Sequence, residues 1–90
     1  MAELYFDDLT PGTVLDLGTT AVDRDEMVAF SARFDPQPFH LHEADGERVF
    51  GGLAASGWFT ASLWMRAYVD AVLSRAASLG SPGGDEIAWP

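Results

Sequence analysis

Hydrophobic and polar positions divide the chain into successive stretches. Behind a Pro11-Gly12 turn, Val14, Leu15, Leu17 and Val22 lie among threonines, and the pattern predicts a strand over residues 13–22 with Gly18 as a bulge. After Asp23 the period changes: Met27, Phe30 and Phe34 recur at helical spacing, and Asp23 with Glu26 three residues on resembles a capping box. Pro36 disfavours helical geometry at Asp35 and so ends this helix there. Residues 35–50 hold two prolines and the turn-prone "EADGER", which predicts a long loop with at most one short helical turn. A loop of that length in a small domain points to function or disorder. From Leu53 to about Ala77 every residue suits a helix, a rod of roughly 35–40 Å. Up to Met65 apolar and small side chains occupy almost every side, predicting a helix enclosed all round. Beyond it Arg66, Asp70 and Ser74 fall four apart on one solvated stripe, while Tyr68, Val72 and Leu73 continue the buried side. Gly80 ends the helix, "GSPGGDE" is a loop, and "EIAWP" has the look of a strand beginning.

Ninety residues make one small domain. A chain of that size buries only about 60% of its unfolded surface, so its stability is marginal. One strand and a short helix do not cover Leu53, Trp58, Phe59, Leu63 and Trp64, so the long helix needs a sheet or another subunit, and a homodimer or higher oligomer is expected. Fourteen acids face five arginines and no lysine, a net charge of −9 that sits almost wholly in the first fifty residues. Nucleic acid and anionic membrane are excluded as partners on that balance. The seventeen uncharged residues between Arg48 and Arg66 have two glycines near their start and contain Ser56, Thr60 and Ser62, which favours a core helix over a membrane span. With an acidic start lacking an apolar segment, no signal peptide is read and a cytoplasmic location is expected.

The absence of cysteine removes thiolate metal sites and cysteine nucleophiles. Attention therefore falls on "DPQPFH", where a carboxylate and an imidazole stand five residues apart on a proline-stiffened segment. Histidine exchanges protons near neutral pH, and Asp35 held beside His40 would orient and deprotonate a water. Gly51 and Gly52, placed before the long helix, would offer backbone N–H groups to a developing oxyanion. The same residues also admit ordinary readings: Asp-Pro as turn chemistry, a solvated loop histidine, glycines as hinges. His40 and His42 with Glu43 or Asp45 are too few for a convincing metal site, and none is expected. Ser56 in "GLAASGW" lacks the pattern of a nucleophile elbow.

"FDPQPFHLH" resembles the hydratase signature of the MaoC-like dehydratases, the (R)-specific enoyl-CoA hydratase group, in which an aspartate, a proline and a histidine five residues after the aspartate recur. "VFGGLAASGWFTASLWMR" is similar to the start of that family's central helix, and "YFDDLTPGTVLDLG" to its entry strand. The resemblance runs in order from about Leu4 to Pro90. It implies an α+β hotdog fold, a long central helix wrapped by antiparallel sheet and dimerised through the sheets. Residues 1–90 would form the N-terminal portion of one such domain, truncated after the central helix with the C-terminal strands absent. It further implies reversible syn addition of water to a trans-2-enoyl-CoA or acyl-carrier thioester, with no cofactor beyond the coenzyme A thioester that is the substrate. Asp35 and His40 would activate the water, the amide of Gly51 or Gly52 would polarise the thioester carbonyl, and Gln37 and Ser56 would be supporting residues. His42 stands where a second acid is usual, and Phe59 where a polar or histidine side chain is frequent. The rival readings are a non-catalytic hotdog-like module that binds an acyl group or a partner chain, and an inactive fragment.

Overall fold

The computed structural model describes residues 2–89; Met1 and Pro90, the last residue of "EIAWP", lie outside the described residues. Four helices follow one another, α1 (Arg24–Phe34), α2 (Pro38–Leu41), α3 (Glu43–Phe50) and α4 (Gly57–Ala71), with 3-10 turns at Phe6–Asp8 and Leu73–Arg75. Among the described residues there is no strand, and one isolated bridge joins Leu4 to Ala76. This overturns the expected α+β hotdog architecture: the chain is helical, without an antiparallel sheet. Residues 13–22 and 86–89 have strand-like composition but no ladder partner among the described residues, and a strand exists only in a ladder. Val14 in the first of these segments is 91% exposed.

The chain forms two compact units, residues 20–64 and residues 1–19 with 65–90, and the division falls within α4. In the first unit α1 begins as its sequence predicts. The Asp23 side chain accepts the Glu26 amide at 3.0 Å, Asp25 and Glu26 occupy the first turn and Arg33 the last, all favourable to the helix dipole. Asp35 leaves the helical region at φ −152°, ψ 65°. The inner side of α1 carries the buried Met27 and Ser31, and the Phe30 ring packs on Phe59 of α4 with centroids 5.6 Å apart.

The expected loop over 35–50 is instead two helices. Pro38 opens α2, where its fixed φ suits the first helical position and its missing N–H costs nothing. His42, extended at φ −125°, ψ 124°, separates α2 from α3. Glu43 and Asp45 lie in the first turn of α3, Arg48 in the last, and Gly51 closes it in left-handed conformation at φ +79°. Gly46, buried inside α3, lets residues 52–53 pass close by: a Cβ there would stand 2.7 Å from Leu53 Cα. Residues 53–56 then run without regular structure as a strap before α4, which starts at Gly57 and not at Leu53 as its composition suggests. Fifteen residues give α4 a length of about 22 Å. Nor is this helix enclosed: Phe59 is buried, whereas Trp58 is 68% exposed.

In the second unit the backbone of Leu4 pairs with the turn after α4, through Leu4 N–H to Arg75 O at 2.8 Å and Ala77 N–H to Leu4 O at 2.8 Å. Val72 is its buried apolar residue. Arg66 Nε donates to Asp70 at 2.9 Å and Ser74 Oγ to the Asp70 carbonyl at 3.2 Å, so the polar stripe read from the sequence is present. The Asp70 carboxylate raises the Arg66 pKa above its ordinary value. No helix among the described residues is long and apolar enough to cross a membrane.

Candidate active site

Three short segments of the first unit meet around the Asp35 carboxylate. Asp35 ends α1, with its amide donating to Ser31 O at 2.9 Å. Pro36 and Pro38 restrict the backbone on either side of Gln37, and the one-turn α2 that follows turns His40 back toward Asp35. The strap brings Ser56. Asp35 Oδ1 accepts from Gln37 Nε2 at 2.6 Å, and Oδ2 accepts from Ser56 Oγ at 2.7 Å. His40 Nε2 stands 3.3 Å from Oδ2.

The other ring nitrogen fixes the tautomer. His40 Nδ1 lies 2.7 Å from the Ala54 carbonyl oxygen, which only accepts, so Nδ1 carries a hydrogen and donates it. In the neutral ring Nε2 therefore carries the lone pair, and it faces the carboxylate at 3.3 Å. His40 is 7% exposed and Ser56 fully buried, while the Asp35 side chain keeps 20% of its surface open, so the pair is reached from the carboxylate side. The Gln37 side-chain donor, then the Ser56 hydroxyl, then the positive charge available on His40 hold the Asp35 carboxyl below its usual pKa, against the opposing effect of burial.

The arrangement differs from that of a nucleophilic serine. In a hydrolytic triad the serine hydroxyl gives its proton to the imidazole. Here the Ser56 hydroxyl donates to the carboxylate and also accepts the Trp58 amide at 3.3 Å, so it is a fixed donor that ties Asp35 to the start of α4.

Of the residues singled out from the sequence, Asp35, His40, Gln37 and Ser56 come together. Gly51 and Gly52 do not join them in the expected way. They close the C-terminal end of α3 and do not open the long helix; the Gly51 amide donates to Glu47 O at 3.1 Å and the Gly52 amide to Gly46 O at 3.4 Å. Their N–H groups are thus engaged by carbonyls, at the negative end of a helix dipole. The amide that adjoins the Asp35 cluster is instead that of Trp58 in the first turn of α4, through Ser56.

The main feature missed in the sequence is Ala54. Its carbonyl holds Nδ1 of His40, and its amide donates to Phe39 O at 3.1 Å, so one peptide grips α2 twice. A backbone contact leaves no side-chain signature. Aromatic rings complete the wall: Phe39 stands edge-on to His40 at 4.6 Å between centroids, and Phe50 edge-on to Phe39 at 5.4 Å. Among the described residues no group of three or more histidines and carboxylates is placed to hold a metal ion. Comparison of the chain with protein-family models, with curated proteins and with solved structures gave no match.

Proposed function

We propose that this chain carries an acyl-thioester hydratase or dehydratase site, adding water reversibly to a trans-2-enoyl-CoA through Asp35 and His40. The observation that supports the reading is the 3.3 Å approach of His40 Nε2 to Asp35 Oδ2, with Nδ1 pinned on Ala54 O. A water about 2.8 Å from both groups would hydrogen-bond to each. His40 Nε2 takes a proton from that water, which Asp35 orients, as the water oxygen bonds to the β-carbon of the enoyl group. The electron pair of the double bond moves to the α-carbon, and Nε2 delivers the same proton there from the same side. Nε2 ends with its lone pair restored, leaving no net change in the pair. Each proton transfer by a positioned group contributes about 10²–10⁴-fold.

Crotonyl-CoA mixed with the protein, followed by loss of the enone absorbance, tests the proposal. His40→Ala and Asp35→Asn are expected to lose about 10²–10⁴-fold in kcat. Absence of turnover by the unaltered protein, or turnover unchanged in His40→Ala, rejects it. A second reading, an acyl-binding or assembly module without catalysis, draws support from the exposed Trp58 next to the cluster. Four of the five arginines are already held by carboxylates, Arg24 by Glu43, Arg48 by Asp45, Arg66 by Asp70 and Arg75 by Glu3, which leaves few guanidinium groups for the coenzyme A phosphates. Acyl-CoA binding without hydration decides for that module.

A further inference from the structure

We infer that Phe39 is a positioning residue that holds the His40 imidazole in its Nδ1–H tautomer and in the plane needed to face Asp35, with Phe50 holding Phe39 in turn. The kinetic consequence rests on the hydratase reading; the geometry does not.

Two contacts locate the two nitrogens of His40: Nδ1 donates to Ala54 O at 2.7 Å, and Nε2 stands 3.3 Å from Asp35 Oδ2. They leave one freedom: the ring can rock about the line joining the nitrogens, which turns its plane while moving neither nitrogen far. The contact that blocks this motion is the Phe39 ring, edge-on at 4.6 Å and an interplanar angle of 79°. Such edge-to-face pairs are directional, because the positive rim of one ring meets the negative face of the other. Phe39 is itself held by Phe50 at 5.4 Å and 80°, although Phe50 is 62% exposed at the end of α3. An exposed phenylalanine that packs on a neighbour of a buried imidazole has a reason to be aromatic beyond burial. The tautomer is the second part of the inference. An unrestrained neutral imidazole favours hydrogen on Nε2, whereas the Ala54 carbonyl requires it on Nδ1. Loosening the ring plane weakens the Nδ1 bond and lets the tautomers mix, which turns an N–H toward Asp35 in place of the lone pair that takes the water's proton.

The test uses the full chain with ¹⁵N-labelled histidine, the two histidines being told apart in His42→Gln. In Phe39→Leu the His40 nitrogen shifts are expected to show a mixture with the Nε2–H tautomer, and crotonyl-CoA kcat to fall about three- to tenfold with KM unchanged. Phe39→Tyr, which keeps the ring, is expected to retain both the tautomer and the rate. Phe50→Leu is expected to move the nitrogen shifts in the same direction by less; it lies at a surface helix end and decides the question if Phe39→Leu does not fold. A pure Nδ1–H signature in folded Phe39→Leu or in Phe50→Leu overturns the inference, and so does a Phe39→Tyr that behaves like leucine. If the unaltered protein does not hydrate crotonyl-CoA the functional reading fails, and the nitrogen shifts still decide the role of Phe39.

Discussion

Replacing Gly46 by alanine sets local preference against tertiary packing. Gly46 lies inside α3 with ordinary helical geometry, and propensity alone says that alanine stabilises a helix by about 1 kcal/mol. The surroundings reverse the sign. A Cβ at this position would lie 2.7 Å from Leu53 Cα and 2.8 Å from the Gly52 carbonyl carbon, and closer still to the Gly52 oxygen. All of these are backbone atoms, so no rotamer relieves them. Carbon atoms sit comfortably at about 3.5–4.0 Å, which requires the strap to move outward by about 1 Å. Overpacking of this kind costs about 1–3 kcal/mol. The displacement also stretches the two bonds of Ala54, now 2.7 Å to His40 and 3.1 Å to Phe39, each worth about 1 kcal/mol. Set against the propensity gain, the net loss is about 1–3 kcal/mol, or roughly 5–20 °C in Tm for a chain of this size. Urea titration followed by tryptophan fluorescence and circular dichroism measures it, with crotonyl-CoA turnover alongside. A Gly46→Ala protein as stable as the parent or more so refutes the reasoning, because α3 and the strap then do not touch as described.

Further predictions concern the carboxylate and the core. Ser56→Ala removes the donor to Asp35 and the cap on the Trp58 amide; helix α4 is expected to lose about 1 kcal/mol, and a ¹³C titration to find the Asp35 carboxyl moved up toward its ordinary value. Because the Asp35 pKa is lowered in the folded chain, its contribution to stability is complete above the ordinary carboxylate value of 3.8 and is lost as pH falls through the lower folded value. Gln37→Leu removes the largest cause of that lowering, so its stability is expected to depend less steeply on pH in this window. Equal slopes for the two proteins contradict the assignment. Phe59, 3% exposed against Phe30, is expected to cost about 3–5 kcal/mol as Phe59→Ala, enough to abolish the cooperative melt of a marginal chain; a Tm within a few degrees of the parent counts against it as the core of its unit.

Where the signals are local, the sequence carried them. Asp23, the spacing of Met27, Phe30 and Phe34, and Pro36 place α1 correctly, because a cap, a period and a breaker act within a turn or two of the chain. The acid and the imidazole were visible for the same reason, being five residues apart across a proline-opened turn. Among the described residues there is no sheet. Threonines and valines in 13–22 favour extended backbone, yet a ladder needs a second strand, and no described segment pairs with this one. Helix α3 was hidden by Gly46, which resembles a turn residue in "EADGER" but is required by the passage of residues 52–53. The apolar character around Trp58 suggests a cover that its 68% exposure does not show.

The strap shows why the remainder was illegible. Leu53, Ala54 and Ala55 rank among the best helix formers and lead directly into α4, so every local preference favours starting the helix at Leu53. A helix through them would send the Ala54 carbonyl to the Trp58 amide. Instead that carbonyl accepts from His40 Nδ1, the Ala54 amide goes to Phe39 O, and the Trp58 amide turns to Ser56 Oγ. The bond that an ordinary helix would form between the Ala54 carbonyl and the Trp58 amide is thus exchanged for two that lock α2 in place, since the Ala54 amide would have no partner in the first turn of such a helix. The exchange also decides what Ser56 does. Serines within the helical stretch bond back to a carbonyl one turn earlier, Ser62 to Trp58 O at 2.8 Å and Ser74 to Asp70 O at 3.2 Å. Ser56, at the helix start, is free of that arrangement and gives its hydrogen to Asp35. The local rule therefore breaks where the acid and the imidazole are assembled, because the contacts made by Ala54 and Ser56 outweigh the helical preference of the strap.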